Sequence, residues 1–146
     1  MKHKNLLFLS CIILFVTLVT AKVHAREVKS ISANWTFKSG IESPVGFGWG
    51  RAPELGAPVN LPHTWNREDF MSDRGYRRGY GSYRKELEIP KEYVGKRLFL
   101  KFDGAGSVAN VFINSNHLGE HKGAYNAFTY EITDFVKYGE KNIVNV

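Results

Sequence analysis

Apolar and polar residues alternate with a period of two along several short segments of the chain, and helical periodicity is nearly absent. Tyr83, Leu87 and Ile89 stand among charged residues, and the same alternation runs through residues 98–102 and 128–132. Alternation over four to eight residues predicts strands with one buried face. These segments therefore predict an all-β protein.

Other segments complete this prediction. Residues 108–113 are apolar in both phases of the alternation, which predicts a central strand covered on both faces. Trp35 and Phe37 predict a short early strand. Residues 114–117, Asn-Ser-Asn-His, are of types that favour a turn. Short strands at roughly ten-residue spacing indicate an antiparallel β-sandwich or a barrel.

Two segments depart from the alternating pattern. Residues 43–62 hold four of the five prolines and four glycines, which predicts an ordered but irregular loop. Residues 142–146 form an apolar β run at the very end of the sequence. A strand without its neighbour leaves an open sheet edge. We therefore expect a sandwich that is incomplete at its C-terminal end, in a chain that belongs to something longer.

The first 25 residues resemble a secretory signal peptide. A basic start precedes an apolar stretch of 14 residues, 6–19, and residues 23–25 place small or compact residues where a signal peptidase cleaves. The apolar stretch is short for a membrane span, and an N-terminal membrane anchor is the alternative. A lipid anchor at Cys11 is a weaker alternative, because this cysteine lies inside the apolar stretch rather than at its end. We predict an exported protein, periplasmic or extracellular, with residues 26–146 as its mature domain.

Composition then excludes several classes. Removal of residues 1–25 leaves 17 basic and 14 acidic residues and no cysteine. A disulfide-stapled fold and a Cys-ligated zinc module are therefore excluded. The mature part has no second membrane-length apolar run. Its small net charge gives no support for nucleic-acid binding. About 120 residues suffice for one domain.

A series of motifs in fixed order carries a family resemblance. They are Trp35-x-Phe37, Leu61-Pro62-His63-Thr64-Trp65-Asn66, Arg78-Gly79-x-Gly81-x-Tyr83-Arg84, Gly95-Lys96-Arg97-x-Phe99-Leu100-x-Phe102-Asp103-Gly104, Ala109-x-Val111-x-Ile113-Asn114, and Gly119-x-His121-x-Gly123-x-Tyr125-x-Ala127-Phe128. Together they resemble the N-terminal sugar-binding domain of glycoside hydrolase family 2, which includes β-galactosidases, β-mannosidases and β-glucuronidases. The resemblance covers about residues 33–146. It is strongest to exported bacterial β-galactosidases.

The resemblance implies a jelly-roll β-sandwich, like other galactose-binding domains. It implies that both catalytic glutamates lie in a later barrel domain, so that this chain has no catalytic residue and needs no cofactor or metal. The partners implied are a β-galactoside-like carbohydrate and the other domains of the parent enzyme. The alternative is a stand-alone, non-catalytic carbohydrate-binding module.

Candidate sugar contacts lie in and near the segment 74–83, which is rich in Arg, Tyr and Gly. The resemblance implies that the loop before strand 80–88 reaches the catalytic pocket. Arg78 falls where the bacterial β-galactosidases carry a sugar-contacting Asn, and Tyr76 and Asp69 are further candidates. The alternative is that Arg77 and Arg78 pair with carboxylates at a domain interface. A nucleic-acid surface of Arg and Tyr is disfavoured by the export signal.

Three positions differ from the family pattern. Ser82 replaces a Trp, which puts any stacking role there in doubt. Ser115 and Ala124 stand where Gly is preferred, so the backbone angles of both turns are in doubt.

The acidic and aromatic residues give no independent catalytic site. Glycoside hydrolysis needs two carboxyl groups about 5–10 Å apart, one of them with a raised pKa. The local candidates, Glu68, Asp69, Asp73, Asp103 and Glu120, are expected to be surface turn charges. Histidines lack metal-ligand spacing, and we expect His63 to be structural. Trp35 and Trp65 are expected in the core, whereas Trp49 could be core or sugar platform.

We predict that purified residues 26–146 release no nitrophenol from aryl β-galactosides. The physical reason is the expected lack of a carboxyl pair. Turnover that disappears when one of the chain's own carboxylates is replaced would contradict this prediction.

Overall fold

The computed structural model describes residues 26–41, 56–64 and 78–146. The chain divides into two units, with the boundary between residues 30 and 31. In the first unit, the described residues 26–30 have no regular secondary structure. The predicted signal peptide, residues 1–25, lies outside the described residues. Among the described residues, no helix is long and apolar enough to cross a membrane.

The second unit contains eight described strands in two antiparallel sheets. The larger sheet has the order β2-β1-β3-β8-β5-β6, and the smaller sheet pairs β4 with β7. The strands are β1 (Trp35–Ile41), β2 (Ala57–Val59), β3 (Tyr80–Glu88), β4 (Phe99–Phe102), β5 (Val108–Ile113), β6 (Asn116–Lys122), β7 (Phe128–Glu131) and β8 (Lys141–Asn145). Short 3-10 turns at Lys91–Tyr93 and Thr133–Phe135 connect some of them.

The core lies between the two sheets. Its buried members come from both sheets and their flanks: Trp35, Leu100, Val111, Ile113, Ile132 and Val144. Each such aliphatic side chain contributes roughly 1.5–3 kcal/mol by leaving water. The prediction of an antiparallel jelly-roll sandwich is confirmed, and the alternating segments 83–89, 98–102 and 128–132 place alternate residues toward the core.

The C-terminal run occupies the middle of the larger sheet. β8 pairs with β3 on one side and with β5 on the other. Val144 is fully buried, and so are its neighbours Asn142 and Asn145. The expectation that this run leaves an open sheet edge was therefore wrong: β8 is an interior strand, because the chain returns between two strands that precede it in the sequence.

Two other strand predictions need correction. β5 is covered mainly on one face: Ala109, Val111 and Ile113 are buried, whereas Val108 is 54% exposed. Residues 57–59, predicted as part of an irregular loop, form β2 and pair with β1. β2 has only three residues and contains Pro58, which a sheet edge tolerates because one side of the strand needs no N–H donor.

An asparagine network fixes the turn after β5 against the start of β8. The Asn114 side chain donates to the Phe135 carbonyl at 2.8 Å and to Asn142 Oδ1 at 2.7 Å, and its own Oδ1 accepts from the Ile143 N–H at 2.9 Å. The buried Asn142 amide in turn donates to the carbonyls of Lys137 and Glu140. Buried amides of this kind hold the fold only when every group is bonded.

The turn itself contains two residues with positive φ. Asn114 has φ 47° and Ser115 has φ 72°, as the two central residues of a tight hairpin turn require. The turn is therefore formed although Ser115 stands where Gly is preferred. Ala124, the other departure of this kind, is not among the non-glycine residues with positive φ.

We predict that Ser115→Gly stabilises the domain by about 1 kcal/mol, because glycine has no Cβ to clash at positive φ. Chemical denaturation of both proteins measures the difference. Ser115→Ala is the matched control: alanine keeps the Cβ, so this variant should gain no stability. Equal stability gains for both variants would show that the serine hydroxyl, rather than φ, sets the stability of this turn.

Candidate functional site

One end of the sandwich collects the loops that carry the candidate residues. β1 ends at Ile41 beside the start of β3 at Tyr80, and β5 begins at Val108 beside the end of β6 at Lys122. Because the strands are antiparallel, these ends lie on the same side of the sheet. We call this side, with residues 78–80, 103–108 and 122–128, the loop end.

Arg78 lies at the loop end, immediately before β3, and is exposed. Gly79 follows with φ 146°, a backbone angle that favours glycine, and Tyr80 then begins the strand with half of its surface exposed. The other two predicted contacts, Tyr76 and Asp69, lie outside the described residues. Of the three candidate sugar contacts, the structure therefore describes Arg78 alone, and its side chain is accessible.

A second loop at this end carries an exposed aromatic ring that the sequence analysis did not select. Tyr125 is 96% exposed. Its loop packs closely on residues 103–107: a Cβ at Gly104 would lie 2.8 Å from the Ala124 carbonyl oxygen, and the Gly123 N–H donates to the Ser107 carbonyl at 2.8 Å. An aromatic residue in a glycine-containing turn was the available signal, since a core aromatic would belong to an alternating strand.

Stacked rings support this loop from below. His121 stacks on Phe128 with ring centroids 4.0 Å apart, and Phe102 stacks on the same ring at 4.8 Å. His121 Nε2 is buried and has no hydrogen-bond partner. The rings hold the ends of β4, β6 and β7 together, so the loop that carries Tyr125 rests on a packed base.

The predicted structural histidine belongs to a different aromatic cluster. His63 Nδ1 lies 2.9 Å from the Tyr83 hydroxyl, and both rings contact Phe37. Burial raises the pKa of the Tyr83 hydroxyl above its ordinary value. Trp35 is buried, as predicted, and its indole N–H donates to the Ile31 carbonyl. Trp49 and Trp65 lie outside the described residues.

The two candidate carboxylates that the structure describes, Asp103 and Glu120, each have a basic partner. Asp103 pairs with Lys101 at 2.6 Å, and Glu120 pairs with Lys122 at 3.1 Å. The bonds from Lys122 and Asn110 lower the pKa of Glu120. A general acid for glycoside hydrolysis needs the opposite shift, so Glu120 is unsuited to that role. Glu68, Asp69 and Asp73 lie outside the described residues.

Ser82 is buried within β3, and its Oγ has no hydrogen-bond partner, so this position does not offer a surface on which a ligand could stack. In the part of the chain that the structure describes, no three His, Cys, Asp or Glu residues approach closely enough to hold a metal ion.

The comparison with protein families decides what kind of domain this is. A family model described as the sugar-binding domain of glycosyl hydrolases family 2 matches residues 29–146. The chain belongs to glycoside hydrolase family 2. Its residues 29–146 are the N-terminal sugar-binding domain of that family, which confirms the resemblance given by the motifs.

Several relatives are similar over much of this family 2 domain. A β-glucuronidase of Bacteroides fragilis is 47% identical over 135 residues, which is 91% of this chain and 18% of the relative. A β-galactosidase of Thermoanaerobacter pseudethanolicus is 35% identical over 60% of this chain. The crystal structure of a Bacteroides uniformis β-glucuronidase matches 83% of this chain with a TM-score of 0.73 at 32% identity.

These matches concern a small part of each relative. The chain covers 12% of the Thermoanaerobacter enzyme and 14% of the crystallised Bacteroides uniformis chain. The similarity therefore describes the N-terminal domain of family 2 enzymes.

An ion pair next to the smaller sheet gives a pH-dependent prediction. Arg97 donates to Glu131 from Nη2 at 2.6 Å and from Nε at 3.0 Å, and Thr133 Oγ1 donates to the same carboxylate. These hydrogen bonds, with that from Arg97 as the larger cause and that from Thr133 as the next, lower the pKa of Glu131 from 4.5 to about 2. The ionised form is therefore favoured in the folded protein, and this contribution to stability is present above pH 4.5.

We expect this contribution to be lost as the pH falls from 4.5 towards 2, because protonation of Glu131 breaks the paired hydrogen bonds. Thermal melts at several pH values should show a shallower decline for Glu131→Gln than for the unchanged protein. Glu140→Gln removes the same charge elsewhere on the surface and is the matched control. Identical pH profiles for the unchanged protein and Glu131→Gln would contradict the prediction.

Proposed function

We propose that this chain is the non-catalytic sugar-binding domain of an exported family 2 glycoside hydrolase, whose O-glycosyl bond cleavage is carried out by residues outside the chain. The loop end would help to shape the substrate pocket of that enzyme. The observation that carries the proposal is the exposed Arg78 at this end of a domain that belongs to family 2. A stand-alone carbohydrate-binding module remains the second candidate, because binding alone needs no carboxyl pair.

The charge of Arg78 favours an acidic sugar. A guanidinium binds a carboxylate through two parallel hydrogen bonds, which gives both strength and orientation. A neutral hexose such as galactose offers hydroxyl groups only. The 47% identity to a β-glucuronidase supports the same choice. We therefore favour a β-glucuronide as the substrate of the parent enzyme. A β-galactoside, which the motif resemblance implied, is the alternative, and the similarity to β-galactosidases supports it.

The exposed aromatic rings of the loop end complement this charge. Tyrosine has a flat apolar face and a polar hydroxyl, so it can pack on the C–H face of a pyranose and still bond its hydroxyl groups. Tyr80 follows Arg78 by two residues, and Tyr125 extends from the neighbouring loop. Tyr76 and Asp69 remain proposed contacts of the same loop.

Export is part of the proposal. A basic start, a 14-residue apolar stretch and compact residues at 23–25 support a signal peptide that is removed before Arg26. A mature domain without cysteine needs no disulfide in the periplasm or outside the cell.

We expect the isolated domain to bind glucuronate weakly, in the millimolar range, because few of its side chains can reach one sugar. Titration of glucuronate into labelled protein, followed by NMR, should shift the amide signals of residues 78–80. Arg78→Ala should abolish these shifts, and galactose should produce smaller ones. Lys96→Ala removes a positive charge at the opposite end of the sandwich and is the matched control.

The outcomes separate the candidates. Larger shifts with galactose than with glucuronate would favour a β-galactoside, and equal shifts in the Arg78→Ala and unchanged proteins would remove Arg78 from the site. Submicromolar binding by the isolated chain would contradict its role as an accessory domain and favour the stand-alone module.

A further inference from the structure

The ring of Tyr125 contributes little to the packing of the domain. Of the large apolar side chains that the structure describes, that of Tyr125 is the most exposed, at 96%, compared with 50% for Tyr80. An aromatic ring stabilises a fold mainly by leaving water. This ring remains in water, so both of its faces are accessible to a ligand.

The loop that carries the ring is nevertheless held on two sides. A Cβ at Gly106 would lie 3.1 Å from the Ala124 Cβ, and one at Gly104 would lie 2.8 Å from the Ala124 carbonyl oxygen, so residues 103–107 pack closely on the loop. Below it, the Phe128 ring stacks on His121 with centroids 4.0 Å apart. A ring on a loop that is already packed in place binds a ligand without a large loss of conformational entropy.

The residues next to the ring favour a saccharide over a protein surface. Ala124, Asn126 and Ala127 are small or polar, and the latter two are exposed. Asn126 Nδ2 lies 3.8 Å from the place that a Cβ of Gly123 would take, which puts this amide on the same turn. The centre of a protein interface groups several large apolar side chains. A sugar needs one flat apolar face and a few hydrogen-bonding groups, which this turn offers.

The separation between this loop and Arg78 matches a ligand of more than one sugar ring. Arg78 precedes β3 and the Tyr125 loop follows β6, with β8 and β5 between these two strands. At about 4.8 Å for each strand spacing, β3 and β6 lie about 14 Å apart. A single pyranose ring is much smaller than this distance. Different rings of one saccharide can therefore meet Arg78 and Tyr125.

We propose that Tyr125 and Asn126 form a second saccharide subsite, which binds the sugar that follows the terminal glucuronate. The Tyr125 ring stacks on the C–H face of this second sugar, and the Asn126 amide bonds one of its hydroxyl groups. The substrate class is then an oligosaccharide that ends in glucuronate, rather than a glucuronide of a small alcohol. The proposal rests on the proposed function, in which Arg78 binds the terminal sugar.

An NMR titration of the full chain with two ligands tests the second subsite. Glucuronate alone should shift the amide signals of residues 78–80. A hyaluronan tetrasaccharide with glucuronate at its nonreducing end should also shift the amides of residues 124–126 and the ring signals of Tyr125. We expect the tetrasaccharide to bind about tenfold more tightly than glucuronate, which is the effect of one additional stacked ring.

Three variants show whether the ring causes this gain. Tyr125→Ala should bind the tetrasaccharide no more tightly than glucuronate, whereas Tyr125→Phe keeps the stacking face and should retain most of the gain. Phe99→Ala removes a ring that is 45% exposed at the opposite end of β4 and is the matched control. Equal affinities of the Tyr125→Ala and unchanged chains for the tetrasaccharide would overturn the proposal.

The titration also separates this subsite from the role of Arg78. Shifts at residues 78–80 without shifts at residues 124–126 would overturn the second subsite and leave the role of Arg78 intact. Cellotetraose, a neutral saccharide, tests the converse. If it shifts residues 124–126 while neither acidic ligand shifts residues 78–80, the Tyr125 subsite is supported and the proposed role of Arg78 is contradicted.

Discussion

The sandwich depends on the insertion of β8 between β3 and β5. In the larger sheet, β1, β2 and β3 form one part and the hairpin of β5 and β6 forms the other. β8 lies between the two parts and pairs with both of them. Val144 brings its side chain to the middle of the core, where Trp35, Val111 and Ile113 are also buried. The Asn114–Asn142 network fixes the start of β8 beside the β5–β6 turn. A strand that is placed last in sequence and centrally in space makes the fold strongly non-local.

The loop end follows from the same arrangement. Antiparallel pairing brings the start of β3, the start of β5 and the end of β6 to one side, and so places Arg78, Tyr80 and the loop of Tyr125 on one end of the domain. Packed rings, chiefly those of His121 and Phe128, lie beneath this end. Exposed residues with ligand-binding chemistry therefore stand on a supported base, which is the usual relation between loops and scaffold.

Sequence reasoning succeeded where local pattern and burial coincide. Strands with one buried face, such as β4 and β7, were predicted from their period-two alternation. The turn at Asn114-Ser115 was predicted from its residue types. It failed for β2 and β6. β2 is short and contains a proline, and β6 includes Asn, His, Glu and Lys at the edge of the sheet. An edge strand needs little apolar surface, so its pattern is weak. Of the candidate site, Arg78 was selected through a family motif. Tyr125 was missed, although its position in a glycine-containing turn was an available signal.

The sequence by itself determined the class of fold, the family and the core-facing alternation, because these depend on residue type, spacing and motif order. Tertiary structure decided the position of the last strand, the coverage of β5 on one face, and which loops share an end of the sandwich. The physical reason is that strand pairing is a relation between segments distant in the chain. A run such as residues 142–146 has the same pattern at an edge as in the centre, and only its neighbours distinguish the two.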